Sequence, residues 1–291
     1  KVKETKYYYD SLSFGEVSKG NLTKQEMWKS GSDYIDIEKS YNSYGLVIQE
    51  KDPRDKATNY THDSYNLYVA TTTNPLNHQT NVYYDYSSGK PRVTIDPNGR
   101  RFETVYDGLD RVIEERQPDI ASPSSSVTRT AYYYQDSTSS PRYIKARQYR
   151  DDAEYTDKYT YLDGFDRVFQ ERTQAEADGI FTVKDFGYDK VGLLEKESLP
   201  YFAEGASSTA ATTTASLFIR YGYDPLQRVI SIANAVGSTT NAYDDWKMTV
   251  TDAKNIAKDI YKDAYGNLVQ IDEHNGTSTY STFYRCTYCR N

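Results

Sequence analysis

The chain has 291 residues, of which 37% are hydrophobic and 26% charged, and its formal net charge is −7. This composition argues against wholesale disorder, and the even mixture of 35 basic and 42 acidic residues argues against a protein that binds the nucleic-acid backbone. Tyrosine is the outlier with 31 residues. Because tyrosine favours strands and carries a polar group on an apolar ring, we expect sheets built from half-buried rings.

No transmembrane segment is predicted, because the longest hydrophobic run, residues 131–134, is far shorter than the ~20 residues that a bilayer requires. The chain starts at Lys1 rather than Met, so we interpret it as a fragment, with any signal peptide outside it. Its two cysteines, Cys286 and Cys289, cannot provide a disulfide framework.

A short motif recurs along the chain: an acidic residue or Asn, usually after Tyr, then a turn-former three residues later and a β-branched residue or Leu at plus five. In chain order the anchors are Tyr41-Asn42, Asp63, Tyr84-Asp85, Tyr106-Asp107, Asp163, Tyr188-Asp189, Tyr223-Asp224 and Asp263. The copy at Tyr84 is stretched, since Gly89 arrives one residue late. Anchors at 42, 63, 85 and 107 indicate a unit of about 22 residues.

A second signature lies 11 residues before four of these anchors, at Asp52-Pro53, Asn74-Pro75, Asp96-Pro97 and Asp252. Both signatures are typical of tight turns, so each unit is one β-hairpin. The predicted turns span 52–55, 63–66, 96–99, 107–110, 189–192, 224–227 and 263–266. Residues 253–261 have mild helical character, but their alignment with residues 99–106 favours a strand. We therefore predict an all-β fold in which hairpins stack edge to edge into a long, curled β-strip.

We expect four regions along the chain. Residues 1–40 form an N-terminal β segment that leads into the repeats, 41–120 hold regular repeats, 121–216 hold repeats with inserted polar loops, and 217–291 hold C-terminal repeats with a truncated end. The inserted loops are predicted at residues 121–130, 137–141 and 205–216, because their small polar side chains offer almost no burial.

Residues 106–112 (YDGLDRV), 223–229 (YDPLQRV) and 96–100 (DPNGR) resemble the YD repeats of bacterial Rhs proteins. The resemblance is strongest to the shell-forming B and C components of insecticidal toxin complexes, and more distant to wall-associated proteins and teneurins. It implies a secreted or surface bacterial protein whose β-strip forms a hollow shell around a toxin domain. The implied partners are the rest of the same shell or a second shell-forming subunit. The self-cleavage segment of that family is not found in the sequence, so no processing residues are assigned.

Other chemistry receives little support from the residues. The lone CxxC at Cys286 lacks two further zinc ligands, and His62, His78 and His274 lie in polar turn contexts without a nucleophile motif. Residues 15–20 have the glycine spacing of a phosphate loop but not its Lys and Ser or Thr, and are interpreted as a turn. We predict no catalytic, cofactor or metal site and no enzyme. The alternative function is an elongated tyrosine-rich adhesin that binds carbohydrate or a partner protein.

The anchor tyrosines themselves are predicted to be structural. Tyr106 stands at the same place before its anchor as Tyr41, Tyr84, Tyr188 and Tyr223, which hairpin-to-hairpin packing requires and a ligand site does not. Replacing Tyr106 with alanine is therefore expected to destabilise the strip without changing ligand binding.

Overall fold

The structure is a computed structural model that describes residues 3–137, 141–150, 154–208 and 218–284. These residues form 24 β-strands and contain no helix, so none could cross a membrane in helical form. The chain divides into two compact units, residues 1–132 and 133–291, which are described separately.

In the first unit each strand pairs antiparallel with the next one along the chain, from β1 to β11. The strands are β1 (Thr5–Tyr9), β2 (Leu22–Ser30), β3 (Asp33–Tyr41), β4 (Val47–Lys51), β5 (Ala57–His62), β6 (Val69–Thr73), β7 (Gln79–Asp85), β8 (Lys90–Ile95), β9 (Arg101–Tyr106), β10 (Val112–Pro118) and β11 (Ser126–Gln135), the last of which runs past the division.

The second unit continues the pattern of consecutive antiparallel hairpins. Its strands are β12 (Arg142–Tyr149), β13 (Tyr155–Leu162), β14 (Val168–Gln174), β15 (Ile180–Tyr188), β16 (Leu194–Ser198), β17 (Tyr201–Glu204), β18 (Phe218–Tyr223), β19 (Val229–Ala233), β20 (Ser238–Asp244), β21 (Lys247–Thr251), β22 (Ala257–Lys262), β23 (Leu268–Asn275) and β24 (Ser278–Phe283).

The strand order branches at β15, because two strands pair with the same edge of it. Its C-terminal half pairs with β16 and its N-terminal half with β17. Pro200 lies between these two strands and cannot donate a ladder hydrogen bond, so the chain breaks there and β17 starts at Tyr201. The other edge of β16 pairs with β18, which continues the strip.

The predicted all-β hairpin fold is confirmed. In each of the seven predicted turns the backbone N–H of the fourth residue donates to the carbonyl of the first at 2.9–3.2 Å: Asp55 to Asp52, Asn66 to Asp63, Gly99 to Asp96, Asp110 to Asp107, Gly192 to Asp189, Gln227 to Asp224 and Gly266 to Asp263. The longer turn predicted for the copy at Tyr84 is also confirmed. Its closing hydrogen bond to the Asp85 carbonyl comes from the N–H of Gly89, four residues later instead of three. Residues 257–261 lie in β22, as the strand interpretation expects.

One predicted loop is wrong in its second half. Residues 121–125 are exposed, but Ser126 already begins β11 and residues 126–130 pair with β10. The small polar side chains of this stretch bond across the sheet, with the Ser126 hydroxyl donating to Glu103 and the Thr128 hydroxyl to Glu114, both at 3.1 Å. Of the other two predicted loops, residues 138–140 and 209–216 lie outside the described residues.

Buried side chains are concentrated on one face of β13, β14 and β15 in the second unit. Tyr161, Phe181 and Val183 are the buried hydrophobic residues there, and Gln170 and Arg172 are buried beside them. Most other rings are half-buried, in agreement with the composition. Among the described residues the strands are therefore held mainly by their ladder of pairs, and the largest group of buried side chains lies at β13, β14 and β15.

Candidate functional site

The repeat turn is built around the side chain of its anchor residue. At Asp107, Oδ1 accepts hydrogen bonds from the backbone N–H groups of Leu109 at 2.9 Å and Arg111 at 3.0 Å. Oδ2 accepts from the Arg111 Nε at 2.8 Å. The N–H of Arg111 and its guanidinium hold the pKa of Asp107 below its usual value, although partial burial acts in the opposite direction.

The two turn signatures of the sequence form the same turn. Except in the stretched turn at Asp85, the anchor Oδ1 accepts from the N–H groups two and four residues later at 2.8–3.1 Å, and this holds at Asn42, Asp52, Asp63, Asn74, Asp96, Asp107, Asp163, Asp189, Asp224, Asp252 and Asp263. The fourth residue has a positive φ, as with Gly192 at 92° and Gln227 at 62°. Asp or Asn is needed because only a short side-chain acceptor reaches both donors.

A β-bulge distinguishes the two kinds of hairpin. Next to the YD turns the register shifts, so that Tyr106 pairs with Val112 but Val105 pairs with Glu114. The hairpins that turn at Asp52, Asn74, Asp96 and Asp252 keep a continuous register. Bulges increase the local twist of the strands, so twist is introduced at one end of the hairpins.

The anchor tyrosines connect neighbouring hairpins through their hydroxyl groups. Each donates to a backbone carbonyl of the preceding hairpin at 2.7–3.0 Å, namely Tyr41 to Leu22, Tyr106 to Pro91, Tyr188 to Val168 and Tyr223 to Leu194; Tyr243 does the same to Val229. Leu22 follows the loop after β1, and each of the other accepting residues follows the previous YD turn; all five lie at a bulge. The ring of Tyr84 instead stacks on Tyr68 with centroids 4.5 Å apart. This placement supports a structural role, which remains a prediction for Tyr106.

Substitution of a turn anchor tests the contribution of this network. We expect Asp163→Ala to lower the free energy of unfolding by about 1–2 kcal/mol, because the backbone N–H groups of Phe165 and Arg167 and the Arg167 guanidinium lose their acceptor. Asp163→Asn keeps the Oδ1 acceptor, as Asn42 and Asn74 do, and should cost less than half of that. Urea denaturation measures both, with Asp178→Ala on an exposed turn as the control. Equal midpoints for Asp163→Ala and the control would contradict this role.

The glycine-spaced segment 15–20 is part of a loop that wraps around a carboxylate. Asp10 Oδ2 accepts from the backbone N–H groups of Ser18, Lys19 and Gly20 at 2.7–2.9 Å, and Oδ1 from Asn21 at 3.0 Å. These amides, led by that of Gly20, lower the pKa of Asp10 to about 2. Clustered backbone amides of this kind attract an anion, and here the carboxylate of Asp10 takes that place.

The Asp10 loop should loosen in acid. Because the folded pKa of about 2 lies below the unfolded value of ~3.9, the stabilisation is present above pH ~4 and is lost as the pH falls towards 2. The protection factors of amides 18–21, taken relative to the intrinsic exchange rate at each pH, should fall over this range, and Asp10→Ala should show low protection at every pH. Protection that stays constant from pH 5 to pH 2 in the unsubstituted chain would contradict the assignment.

A buried polar network occupies the face of β14 and β15. Arg172 Nε donates to Gln170 Oε1 at 2.8 Å, and Gln170 Nε2 donates to Asp185 Oδ1 at 2.6 Å. The Tyr201 hydroxyl donates to Asp185 Oδ2 at 2.8 Å. Burial is the larger cause and this hydrogen bond the second cause that raise the pKa of Tyr201 to about 12. Arg172 Nη1 also donates to the carbonyl of Gly205 at 2.7 Å. This network could not be predicted from the sequence, because alternating polar residues on a strand usually face solvent.

The remaining candidate groups are scattered. His274 lies between Asp259, at 3.2 Å from Nε2, and Thr279, at 3.1 Å from Nδ1, on the half-exposed surface of β23. His62 and His78 lie on other strands and turns of the first unit. Cys286 and Cys289 lie outside the described residues. Within the described ranges no group of three or more His, Cys, Asp or Glu side chains is arranged to hold a metal ion.

No family model and no curated relative matches the sequence. Among solved structures, the chain is similar to the crystal structure of TcdB2-TccC3, with a TM-score of 0.81 and 13% identity over 99% of this chain and 20% of that one. It is also similar to TcdB2-TccC3-Cdc42, with a TM-score of 0.80 and 11% identity over 99% and 22% of the two chains. The Photorhabdus luminescens Tc holotoxin pore with a TccC3 mutation gives 0.77 and 13% over 99% and 22%.

The chain has the fold of these toxin-complex proteins. The expected fold, drawn from the resemblance to shell-forming toxin components, is confirmed over almost the whole chain. The chain spans about one fifth of the length of the proteins it matches.

Proposed function

We propose that the chain is a non-enzymatic segment of the wall of a β-shell, in a secreted bacterial protein of the Rhs type whose shell encloses a toxin domain. The observation that carries the proposal is the match to TcdB2-TccC3 along 99% of the chain. Its partners are further strip of the same shell or a second shell-forming subunit, together with the enclosed domain.

The contacts of the repeat support a structural role for the anchors. The anchor carboxylates accept hydrogen bonds from their own turns, and the anchor hydroxyls donate to neighbouring hairpins, so these groups serve the strip itself. Consecutive strands pair on both of their edges, as in β3, β4 and β5, so a wall is formed with few unsatisfied backbone groups.

Protease protection of the domain that follows the repeats in the full-length gene product tests the proposal. The domain should resist digestion in the native protein and become sensitive when Tyr161→Ala and Arg172→Ala together weaken the wall. The exposed substitution Lys190→Ala should preserve protection. A domain that is digested equally in all three proteins would overturn the shell proposal. Binding of glycans by the 291-residue chain with no protected domain would favour the adhesin instead.

A further inference from the structure

The loop between β1 and β2 departs from the repeat. Asp10 and Ser11 at its start both have left-handed backbones, with φ of 55° and 59°, whereas each repeat turn has a single such residue. The N–H of Leu12 donates to the carbonyl of Tyr9 at 2.9 Å and closes this turn. A left-handed backbone is unfavourable for residues other than glycine, and such strain is concentrated at functional sites. The strain therefore marks this loop as a candidate for a binding function.

The loop and the strands beside it form a groove. The Ser11 N–H donates to Thr23 Oγ1 at 2.9 Å, and the ring of Phe14 meets that of Tyr8 edge to face, with centroids 5.6 Å apart. Two adjoining cavities of about 240 Å³ and 460 Å³ lie between the loop and β2, β3 and β4. Together they offer the volume of a small-molecule site, which is ~300–1,000 Å³. We call them the loop groove, and the residues that line both are Ser11, Leu12, Thr23, Lys39 and Ser40.

The loop groove is held in shape without a ligand. Asp10 lines it, and the carboxylate of Asp10 accepts hydrogen bonds from the backbone N–H groups of residues 18–21 at 2.7–3.0 Å. A ligand would therefore not have to order the loop, which lowers the cost of binding. The same amides are no longer free to bind an external anion.

The charged side chains of the groove are paired with carboxylates. The three lysines on its strands each lie within 3.4 Å of one, the pairs being Lys24 with Glu26, Lys39 with Glu50 and Lys51 with Glu38. Lys19 of the loop also lines the groove but is exposed, where one charge contributes little to binding. An anionic ligand would have to displace a carboxylate, and a cationic one a lysine. The groove therefore favours a neutral ligand.

The polar groups of the groove match a ligand that is rich in hydroxyl groups. The Lys51 ammonium donates and the Glu38 carboxylate accepts, while the hydroxyls of Ser11 and Ser40 do either. A sugar hydroxyl also donates and accepts, so it satisfies neighbouring groups of both kinds. Leu12, which lines both cavities and is 39% exposed, offers apolar surface to the C–H face of a sugar ring.

Other neutral ligands fit the lining less well. A nucleobase stacks on a free aromatic face, but the Tyr8 ring in the smaller cavity already contacts Phe14 and the Lys24 ammonium, which lies 5.8 Å from its centroid. A peptide that adds as a strand needs a free sheet edge, but β2, β3 and β4 pair with a strand on each side. A pyranose ring needs neither.

We infer that the loop groove binds a neutral pyranose unit of a glycan. The inference is independent of the proposed function, because the wall of a shell can also carry a glycan site. Protease protection tests the shell and sugar binding tests the groove, so either can fail alone.

Saturation-transfer NMR of the 291-residue chain tests the inference with the methyl glycosides of glucose, galactose, mannose and N-acetylglucosamine. At least one should receive saturation at about 10 mM sugar, a concentration that reveals dissociation constants in the millimolar range. Titration of that sugar should shift the amide signals of Ser11, Leu12, Thr23 and Ser40.

A matched pair of leucine variants tests the apolar contact. Leu12→Ser removes apolar surface from the groove, and Leu76→Ser removes the same side chain from an exposed turn elsewhere in the unit. The first should weaken binding of the sugar at least about fivefold, and the second less than about twofold. Circular dichroism of both variants verifies that they are folded.

Glu38→Gln tests the pairing of charges. It leaves the Lys51 ammonium without its carboxylate, so methyl glucuronide, which carries a carboxylate on the same kind of ring, should bind this variant about two- to fivefold more tightly than the unsubstituted chain. A site beside Glu38 requires this gain, so its absence would place the sugar elsewhere. Three further results would overturn the inference: none of the four neutral sugars binds, both leucine variants weaken binding equally, or the unsubstituted chain prefers the glucuronide.

Discussion

Replacing Tyr161 with alanine should lower the free energy of unfolding of the second unit by about 3–5 kcal/mol. Tyr161 is only 4% exposed, and its ring lies among Tyr143, Tyr159 and Phe169, with centroid distances of 5.4–6.2 Å. Burial raises the pKa of its phenol to about 12, and the hydroxyl donates to the Ala206 carbonyl. Alanine would leave a cavity among these rings and leave that carbonyl without this donor.

Two further substitutions separate the contribution of the Tyr161 ring from that of its hydroxyl and provide a control at an exposed tyrosine. Tyr161→Phe keeps the ring and removes only the hydroxyl, so it should cost about 1 kcal/mol. Tyr83→Ala removes the same number of atoms from a strand residue that is 56% exposed, and should change stability by no more than ~0.5 kcal/mol. Urea denaturation followed by tyrosine fluorescence gives all three values. If Tyr161→Ala shifts the midpoint no further than Tyr83→Ala, the packing around β13 does not stabilise the unit.

The turns could be predicted from the sequence because their interactions are local. At Asp224 the donors lie two and four residues away, on Leu226 and Arg228, so the motif contains both partners. The 11-residue offset between turn classes is one strand plus a turn, which also depends only on neighbouring residues. That both classes form the same turn, and differ in the bulge, could not be seen, because a bulge depends on the register with the facing strand.

The buried network lay beyond sequence reasoning for the opposite reason. Gln170 and Arg172 alternate with partly exposed residues along β14, a pattern that normally marks a solvent-facing side of a strand. Their burial depends on the fork at β15 and on contacts with residues 204–205, about 33 positions further along the chain. The exposed apolar residues at the third position of YD turns, such as Leu109 and Phe165, are an intermediate case, since they stand at a fixed offset from the anchors, but their exposure becomes visible only in three dimensions.

Arg172→Ala should lower the free energy of unfolding by about 3–5 kcal/mol, as expected when one member of a buried charged network is removed. Arg172 is 1% exposed, and its guanidinium donates to Gln170 and to the carbonyl of Gly205. Without it, Gln170 and that carbonyl lose a buried donor, and Gln170 is also the residue that orients Asp185. Arg220→Ala, at an exposed arginine on β18, should cost no more than ~0.5 kcal/mol.

Hydrogen exchange distinguishes a local role of Arg172 from simple packing. Arg172 bonds to the carbonyls of Glu204 and Gly205, at the end of β17, so its loss should release this strand from β15 before the rest of the unit opens. Amides 202–205 should therefore lose protection in Arg172→Ala at denaturant concentrations where those of β13 and β14 keep theirs. Uniform loss of protection across β13, β14, β15 and β17 would contradict this, and would mean that β17 is held by its ladder with β15 rather than by the buried guanidinium.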